Sequence, residues 1–331
     1  MKAMLLESFG NGHDFVQGDV PVPCPGPGEL LLKVAASSFN PIDNKIAVLG
    51  GQLGFAPSLP HILGMDVSGE VVEVGPGRSR FKPGDRVFGC AGGLTGIPGA
   101  LAEYMTVDER LVARAPQTMA LADAAAIPLV AITAWLGLSS RAGIRAGETL
   151  LVQGGAGGVG HMAVQLGVHA GAEVHATVSS DLKGAVVEAL GAVPIDYTQT
   201  SVDQYVADAT GGDGFHVVFD TVGGVSLDNS FLAARREGRV ITTVARSSHD
   251  LSPMHARSLS LHVVFMLLPL ITGEGRSAYG EILAEVANLV DRDRLAVLLD
   301  EARFPYTEIA AAHRYWEAGK ALGKIVIDVA P

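Results

Sequence analysis

Cysteine is almost absent: Cys24 and Cys90 are the only two. That is too few for a disulfide framework and suits a reducing compartment. Charge is scarce as well. Only 18% of the residues are charged, and 24 basic against 35 acidic side chains leave a net charge of -11. Nucleic-acid binding needs clustered Lys and Arg, and no such cluster occurs, so no nucleic-acid partner is expected. Long hydrophobic runs are missing too. The longest apolar stretch is read as Leu259 to Ile271, which contains Ser260, His262 and Pro269 and is too short to span a bilayer. Glu7 interrupts the apolar character of the first residues, which removes a signal-peptide core. These absences predict a cytoplasmic location and no membrane partner.

What the chain has in quantity is apolar surface, 48% of 331 residues, and a length that makes two domains the default. Up to about Gln117 the signals are those of β-structure. Short runs such as Leu30–Val34, Val67–Val74 and Asp85–Gly89 are punctuated by Pro25-Gly26-Pro27-Gly28 and Gly75-Pro76-Gly77, which suggests a small barrel or sandwich. Leu121 to Gly137 reads as an alanine-rich helix interrupted by Pro128, joining the domains. Beyond it strands and helices alternate: strands at Glu173–Val178, Phe215–Asp220 and Arg239–Val244, and a helix at Asp181–Leu190. Alternation implies an α/β domain with a doubly wound parallel sheet whose ligands sit beyond the strand C-termini. Leu261–Leu267 reads as the last strand, with an edge able to pair with a second subunit. The tail holds helices near Ser277–Asp291 and Thr307–Ala318 and a closing strand from Lys324 to Ile327.

The strongest local signal is Leu150-Leu151-Val152-Gln153-Gly154-Gly155-Ala156-Gly157-Gly158-Val159-Gly160, an apolar run, a glycine cluster and the start of an apolar-periodic helix. Gly155, Gly157 and Gly160 fit G-x-G-x-x-G. The first is assigned the positive-φ turn, the second the close approach of a pyrophosphate, and the third the packing of helix on strand. The helix N-terminus then favours the diphosphate, so residues 155–160 are expected to bind a dinucleotide. An acidic residue holding the adenosine ribose belongs about 20–25 residues past the first glycine. There the chain has Val178-Ser179-Ser180, and Asp181 already starts the next helix. Ser179 and Lys183, one turn on, tolerate a 2′-phosphate, and one charge-assisted bond of roughly 1.5–3 kcal/mol supplies one to two decades of NADPH preference. The alternative is a capping serine and a solvated lysine.

Motifs along nearly the whole chain resemble the zinc-independent quinone oxidoreductase branch of the medium-chain dehydrogenase/reductase superfamily. They include Asn40-Pro41-Ile42-Asp43, Gly64-Met65-Asp66-Val67-Ser68-Gly69, Phe81-Lys82-Pro83-Gly84-Asp85-Arg86-Val87 and Ala100-Leu101-Ala102-Glu103-Tyr104. Ala125-Ala126-Ile127-Pro128 with Thr133-Ala134-Trp135, and the glycine turn with His161-Met162-Ala163-Val164-Gln165, complete the set. The resemblance implies a GroES-like β-barrel catalytic domain from 1–125 and 269–331, a Rossmann domain from 126–268, and an active site in the cleft between them. It implies that Lys183 and Tyr197 hold the 2′-phosphate, and that Thr243, Val244, Phe265 and Leu267 join Ser179 and residues 155–160 in contacting the cofactor. Asn40 is expected as a substrate- or nicotinamide-side amide, Asp43 as its neighbour and Thr133 as a hydroxyl beside the nicotinamide ribose. The blander readings are a turn initiator for Asn40-Pro41 and a helix back-bond for Thr133.

Zinc-dependent relatives of that superfamily would carry a Cys near Phe39–Asn40 and a His where Met65 stands, and four cysteines near positions 85–110, where this chain has only Cys90. No metal is expected. Nor is there the tyrosine that family members often carry after Asp43: Asn44 to Phe55 has none. A proton delivered to carbon calls for a positioned acid, so the gap leans towards quinones or reactive enones. The expected activity is NADPH-dependent hydride transfer to a quinone or α,β-unsaturated carbonyl by a homodimer. The alternatives are an enoyl thioester reductase and a weakly active, crystallin-like NADPH-binding protein.

Overall fold

The computed structural model describes residues 1–11 and 13–330. The chain divides into two compact units, Met1–Leu129 with Leu267–Asp293 and Val297–Pro331, and Val130–Met266 with Arg294–Ala296.

The first unit opens with β1 (Lys2–Leu6), β2 (Phe15–Asp19), β3 (Glu29–Ser38), α1 (Pro41–Leu49), β4 (His61–Ile62), β5 (Asp66–Val74), β6 (Arg86–Cys90), β7 (Tyr104–Asp108), β8 (Val112–Arg114) and α2 (Leu121–Ala124). After α3 (Pro128–Trp135), the second unit runs β9 (Thr149–Gln153), α4 (Gly158–His169), β10 (Glu173–Val178), α5 (Asp181–Ala189), β11 (Val193–Asp196), α6 (Val202–Thr210), β12 (Phe215–Asp220), α7 (Val225–Ala233), β13 (Ala234–Thr242), α8 (Ser252–Arg257) and β14 (Ser260–Val263). The tail returns to the first unit with α9 (Leu268–Thr272), α10 (Arg276–Asp291), β15 (Leu299–Pro305), α11 (Ile309–Glu317) and β16 (Lys324–Asp328).

In the first unit β3 is the organising strand. It pairs antiparallel with β5, β7 and β16, so the end of the chain is stitched to its beginning. The sheet order is β15-β16-β3-β5-β6-β8 with β7 on β3, beside a small sheet β2-β1-β4. The second unit is a six-stranded parallel sheet, ordered β11-β10-β9-β12-β13-β14. Its central strands β9, β10 and β12 are buried on both faces, as crossover helices require. Leu151, Phe215, Val218, Phe231 and Val240 form part of one solvent-free cluster.

Several sequence expectations change here. Asn40-Pro41, whose blander reading is a turn initiator, opens a helix over Pro41–Leu49, because the Asp43 side chain accepts from the Asn40 N–H and Pro41 stands in the first turn. Pro128 likewise starts α3 rather than interrupting a helix, and the run continues as a π-helical segment over Leu136–Ala142. The whole stretch Leu121–Ala142, longer than Leu259–Ile271, has the length and composition to cross a membrane but is mostly buried inside the protein. The last parallel strand ends at Val263, since Pro269 opens a new helix at Leu268–Thr272.

One buried side chain sets a pH dependence. On α11, His313 donates from Nδ1 to Asn44 Oδ1 at 2.8 Å, and its ring meets Phe39 edge-on at 4.9 Å. Burial, reinforced by His13 and Arg314, lowers its pKa from the ordinary 6.5 to about 3. Between those values the unfolded chain takes up a proton that the folded chain refuses. Stability from this group is therefore complete above pH 6.5 and falls as pH drops, by about 1.4 kcal/mol per unit. Denaturant unfolding between pH 7 and 4.5 is expected to show a shallower slope in His313→Gln than in wild type; parallel slopes would mean that the imidazole is not held neutral.

Candidate functional site

The glycine turn is built as a backbone cradle. Gly154, not Gly155, takes the left-handed conformation at φ 76°. Gly155 is needed for room instead: a Cβ there would lie 2.5 Å from the Ala176 side chain on β10. Gly157 caps α4, and a Cβ at Gly160 would stand 2.1 Å from the Gly154 carbonyl oxygen, so α4 packs on the turn only through glycine. Ala156 and Gly155 are buried, whereas Gly157 is exposed and Gly158 and Val159 half-buried at the start of α4. Two threonines to which the sequence assigned no site role hold the turn. Thr177 Oγ1 accepts from the Gly154 N–H at 2.9 Å and donates to Gln153 Oε1, and Thr221 Oγ1 donates to the Gln153 carbonyl at 2.7 Å. The first N–H groups of α4 have no acceptor within the helix, the arrangement that receives a diphosphate.

At the end of β10 the register Val178↔Asp196 brings Ser179 beside the turn after β11. It is Ser180 that caps α5, accepting from the Lys183 N–H at 3.4 Å. Ser179 is thereby left to take a hydrogen bond from Lys183 Nζ at 3.1 Å. The Tyr197 N–H donates to the Val178 carbonyl, and its side chain is exposed. Ser179, Lys183 and Tyr197 are thus gathered on one corner of the sheet. Asp196, the nearby acid, is turned onto the Thr198 N–H and hydroxyl. This corner and the α4 N-terminus fit a nicotinamide dinucleotide.

The other expected contacts are spread more widely. Thr243 and Val244 follow β13, where the Asp220 carboxylate ties Thr242 to Gly223. Phe265 is half-exposed after β14, while Leu267 is buried and belongs to the first unit. Thr133 is buried on α3 in the second unit.

In the first unit Asn40 sits in a buried polar cluster, and its amide is used up there. Nδ2 donates to Asp66 Oδ2 at 2.8 Å, while Oδ1 accepts from Lys324 Nζ at 2.5 Å. Expected as a substrate- or nicotinamide-side amide, Asn40 is fully buried with both ends of the amide satisfied by protein. Its geometry is that of a positioning group. Asp66 also accepts from Ser38 Oγ at 2.8 Å and from the Leu129 N–H at 2.9 Å, and Lys324 Nζ lies 3.6 Å away and donates to the Phe39 carbonyl. Burial pushes Asp66 up and Lys324 down. Three donors and an ammonium converging on one carboxylate oppose that effect of burial.

Asp43 lies beside this pair. Its Oδ2 accepts from the Asn40 N–H at 3.0 Å, and its Oδ1 is buried without a hydrogen-bond partner. Burial first, then the Asp66 carboxylate, raises Asp43 to about 7. Asp43 lines a cavity with room for about one water molecule, together with Ser37, Ser38, Phe39, Leu63 and His313. Asp66 and Lys324 went unread as site residues in the sequence. Their only signal was a charge inside each of two β-rich runs.

These residues do not fit zinc. Met65 stands where the resemblance places an imidazole ligand, and Cys90 is buried with its thiol pushed well up. Among the described residues no three His, Cys, Asp or Glu side chains group as a metal site.

Comparison with known proteins gives the family. Residues 26–117 match the alcohol dehydrogenase GroES-like domain family, and residues 190–327 the zinc-binding dehydrogenase family. The chain is 31% identical to the NADPH-dependent alkenal/one oxidoreductase of Arabidopsis thaliana, covering 100% of this chain and 80% of that one. It is also 31% identical to the chloroplast envelope quinone oxidoreductase homolog of the same plant, covering 99% and 98%. A polyketide synthase system protein of Streptomyces orinoci, NorB, is 34% identical over 97% of this chain, which spans only 14% of that much longer protein. Among solved structures, an alcohol dehydrogenase superfamily protein from Novosphingobium aromaticivorans superposes with a TM-score of 0.95 at 39% identity, covering both chains completely. With a GroES-like domain, a parallel dinucleotide-type sheet and relatives that it spans nearly end to end, the chain is an oxidoreductase of the medium-chain dehydrogenase/reductase superfamily, in its quinone oxidoreductase branch.

Proposed function

We propose that the protein uses NADPH to reduce a quinone or an α,β-unsaturated carbonyl, without a metal. The observation that carries this reading is the corner after β10, where Lys183 Nζ and Ser179 Oγ meet at 3.1 Å and the Asp196 carboxylate is engaged by Thr198. The names of the relatives, an alkenal/one oxidoreductase and a quinone oxidoreductase homolog, supply the substrate classes. When bound, the dinucleotide supplies a hydride, and the protein's part is orientation and charge. The glycine turn and α4 N-terminus bind the diphosphate, and Lys183, Ser179 and Tyr197 hold the 2′-phosphate.

Asp43 is the proposed acid. A carboxyl kept neutral near pH 7 can donate a proton as negative charge develops on the substrate, the usual use of a buried acid. Asn40 acts on it from behind: the capping box fixes Asp43 Oδ2, and Lys324 and Asp66 fix Asn40. An acid at Asp43 offers a proton source that the missing tyrosine of the Asn44–Phe55 segment does not.

Three outcomes follow. Lys183→Ala is expected to lower the NADPH/NADH ratio of kcat/KM by about 10- to 100-fold, the loss of one charge-assisted hydrogen bond; an unchanged ratio removes the phosphate assignment. Because Asp43 is raised to about 7, its protonated form prevails below that pH, and wild-type turnover of an enone is expected to fall tenfold per unit above it. Asp43→Asn, which keeps the acceptor for Asn40, is expected to lose that limb and at least about 10²-fold in rate at pH 6; retention of both would exclude Asp43 as the donor. Finally, β14 is an outer strand paired among the described residues only with β13, and Val263 and Phe265 near its end are half-exposed. We place the homodimer contact there. Light scattering should find twice the chain mass for wild type and a shift to single chains in Val263→Asp.

A further inference from the structure

Past Thr243 and Val244, the loop between β13 and α8 carries a second constellation, Ser247 and His249 with Asp228, to which the oxidoreductase reading gives no role. Ser247 Oγ lies 2.6 Å from His249 Nε2, and His249 Nδ1 lies 2.7 Å from Asp228 Oδ1. Asp228 stands on the first turn of α7, so the carboxylate comes from a regular element, while the serine and histidine come from the loop. The imidazole is 9% exposed and sits edge-on to Phe231, with ring centroids 6.2 Å apart. Ser247 itself is exposed.

We propose that Ser247 is the nucleophile of a separate acyl-transfer site taking small activated esters, with His249 as general base and Asp228 as the group that orients it. The order hydroxyl, imidazole, carboxylate is what such chemistry requires, and it is recognised by geometry rather than by sequence position. A carboxylate only accepts, so Nδ1 carries the proton towards Asp228 and Nε2 presents its lone pair to the Ser247 hydroxyl. Phe231 and burial hold the ring in that plane. A histidine that merely tied the loop to α7 would need the Asp228 contact alone; here its other nitrogen is spent on an exposed hydroxyl. Among the described residues no hydrogen bond engages the Ser247 or Ser248 N–H, which leaves two backbone donors beside the hydroxyl for a developing oxyanion.

The step balances without a further reagent. The Oγ–acyl carbon bond forms as the hydroxyl proton passes to Nε2. The tetrahedral oxyanion then collapses, the carbon–alkoxide bond breaks, and Nε2 returns the proton to the departing alcohol. Water repeats the sequence on the acyl-serine and releases a carboxylic acid. Nothing is oxidised or reduced.

The test uses the full chain with p-nitrophenyl acetate as substrate and a fluorophosphonate as trapping probe. Wild type is expected to form a single adduct, mapped to Ser247 by mass spectrometry, and to release p-nitrophenol. Ser247→Ala is expected to lose the adduct and reduce release to the solvent rate, and His249→Gln to slow both by about 10²-fold or more. Asp228→Asn, which keeps the shape but reverses the preferred tautomer, is expected to slow labelling while leaving NADPH binding unchanged, a readout that also shows the unit folded. An adduct on another residue, no adduct at all, or equal ester turnover in Ser247→Ala would overturn the assignment, whatever the enone and quinone assays give.

Discussion

A carboxylate and an ammonium, both removed from water, fix the centre of the first unit. Asp66 begins β5 and Lys324 begins β16, and Asn40 lies between them with its amide gripped from both sides. Charges this deep cost several kcal/mol each to desolvate and persist only where geometry and hydrogen bonds compensate. Here Ser38, Asn40 and the Leu129 N–H complete Asp66, and the Phe39 carbonyl completes Lys324. Removing either partner would leave a bare buried charge, about 3–5 kcal/mol in comparable cases. Everything nearby inherits the arrangement: the start of α1, the capping box, and through Asp66 the raised proton affinity of Asp43.

The second unit rests on a different constraint, which is close approach rather than charge. Gly155, Gly160 and Gly167 each stand where a methyl would lie 2.5 Å or less from a neighbouring atom. The turn therefore keeps its backbone donors in one place without help from a ligand. Thr177 and Thr221 add the hydrogen bonds that stop it from opening. Rigid donors at a helix N-terminus are what a diphosphate needs, because no reorganisation is required on binding.

Different features were legible in the sequence to different degrees. The alternation of strand and helix from Thr149 onward and the glycine turn were readable because period and punctuation are local properties. Other features were open in the sequence because a local signal has two solutions. Gly154 and Gly155 are adjacent and chemically identical, and only the position of Ala176 on β10 decides which one needs the left-handed conformation and which needs the space. Ser179 and Ser180 are equally able to cap α5, and the register with β11 decided between them. Asn40-Pro41 reads equally as a turn or as a helix start until Asp43 closes the capping box.

The sequence by itself determined the fold class, the superfamily and the place of the dinucleotide turn, since these rest on patterns spanning a few residues and recurring in order. Tertiary structure alone decided the state of the buried acids and the availability of Asn40. A pKa and a free hydrogen-bonding face depend on what lies within a few ångströms, and Lys324 reaches Asn40 across 284 positions of chain. The same holds for Asp228 on α7, which β13 separates in sequence from His249 and Ser247 and which only the fold brings to the His249 ring.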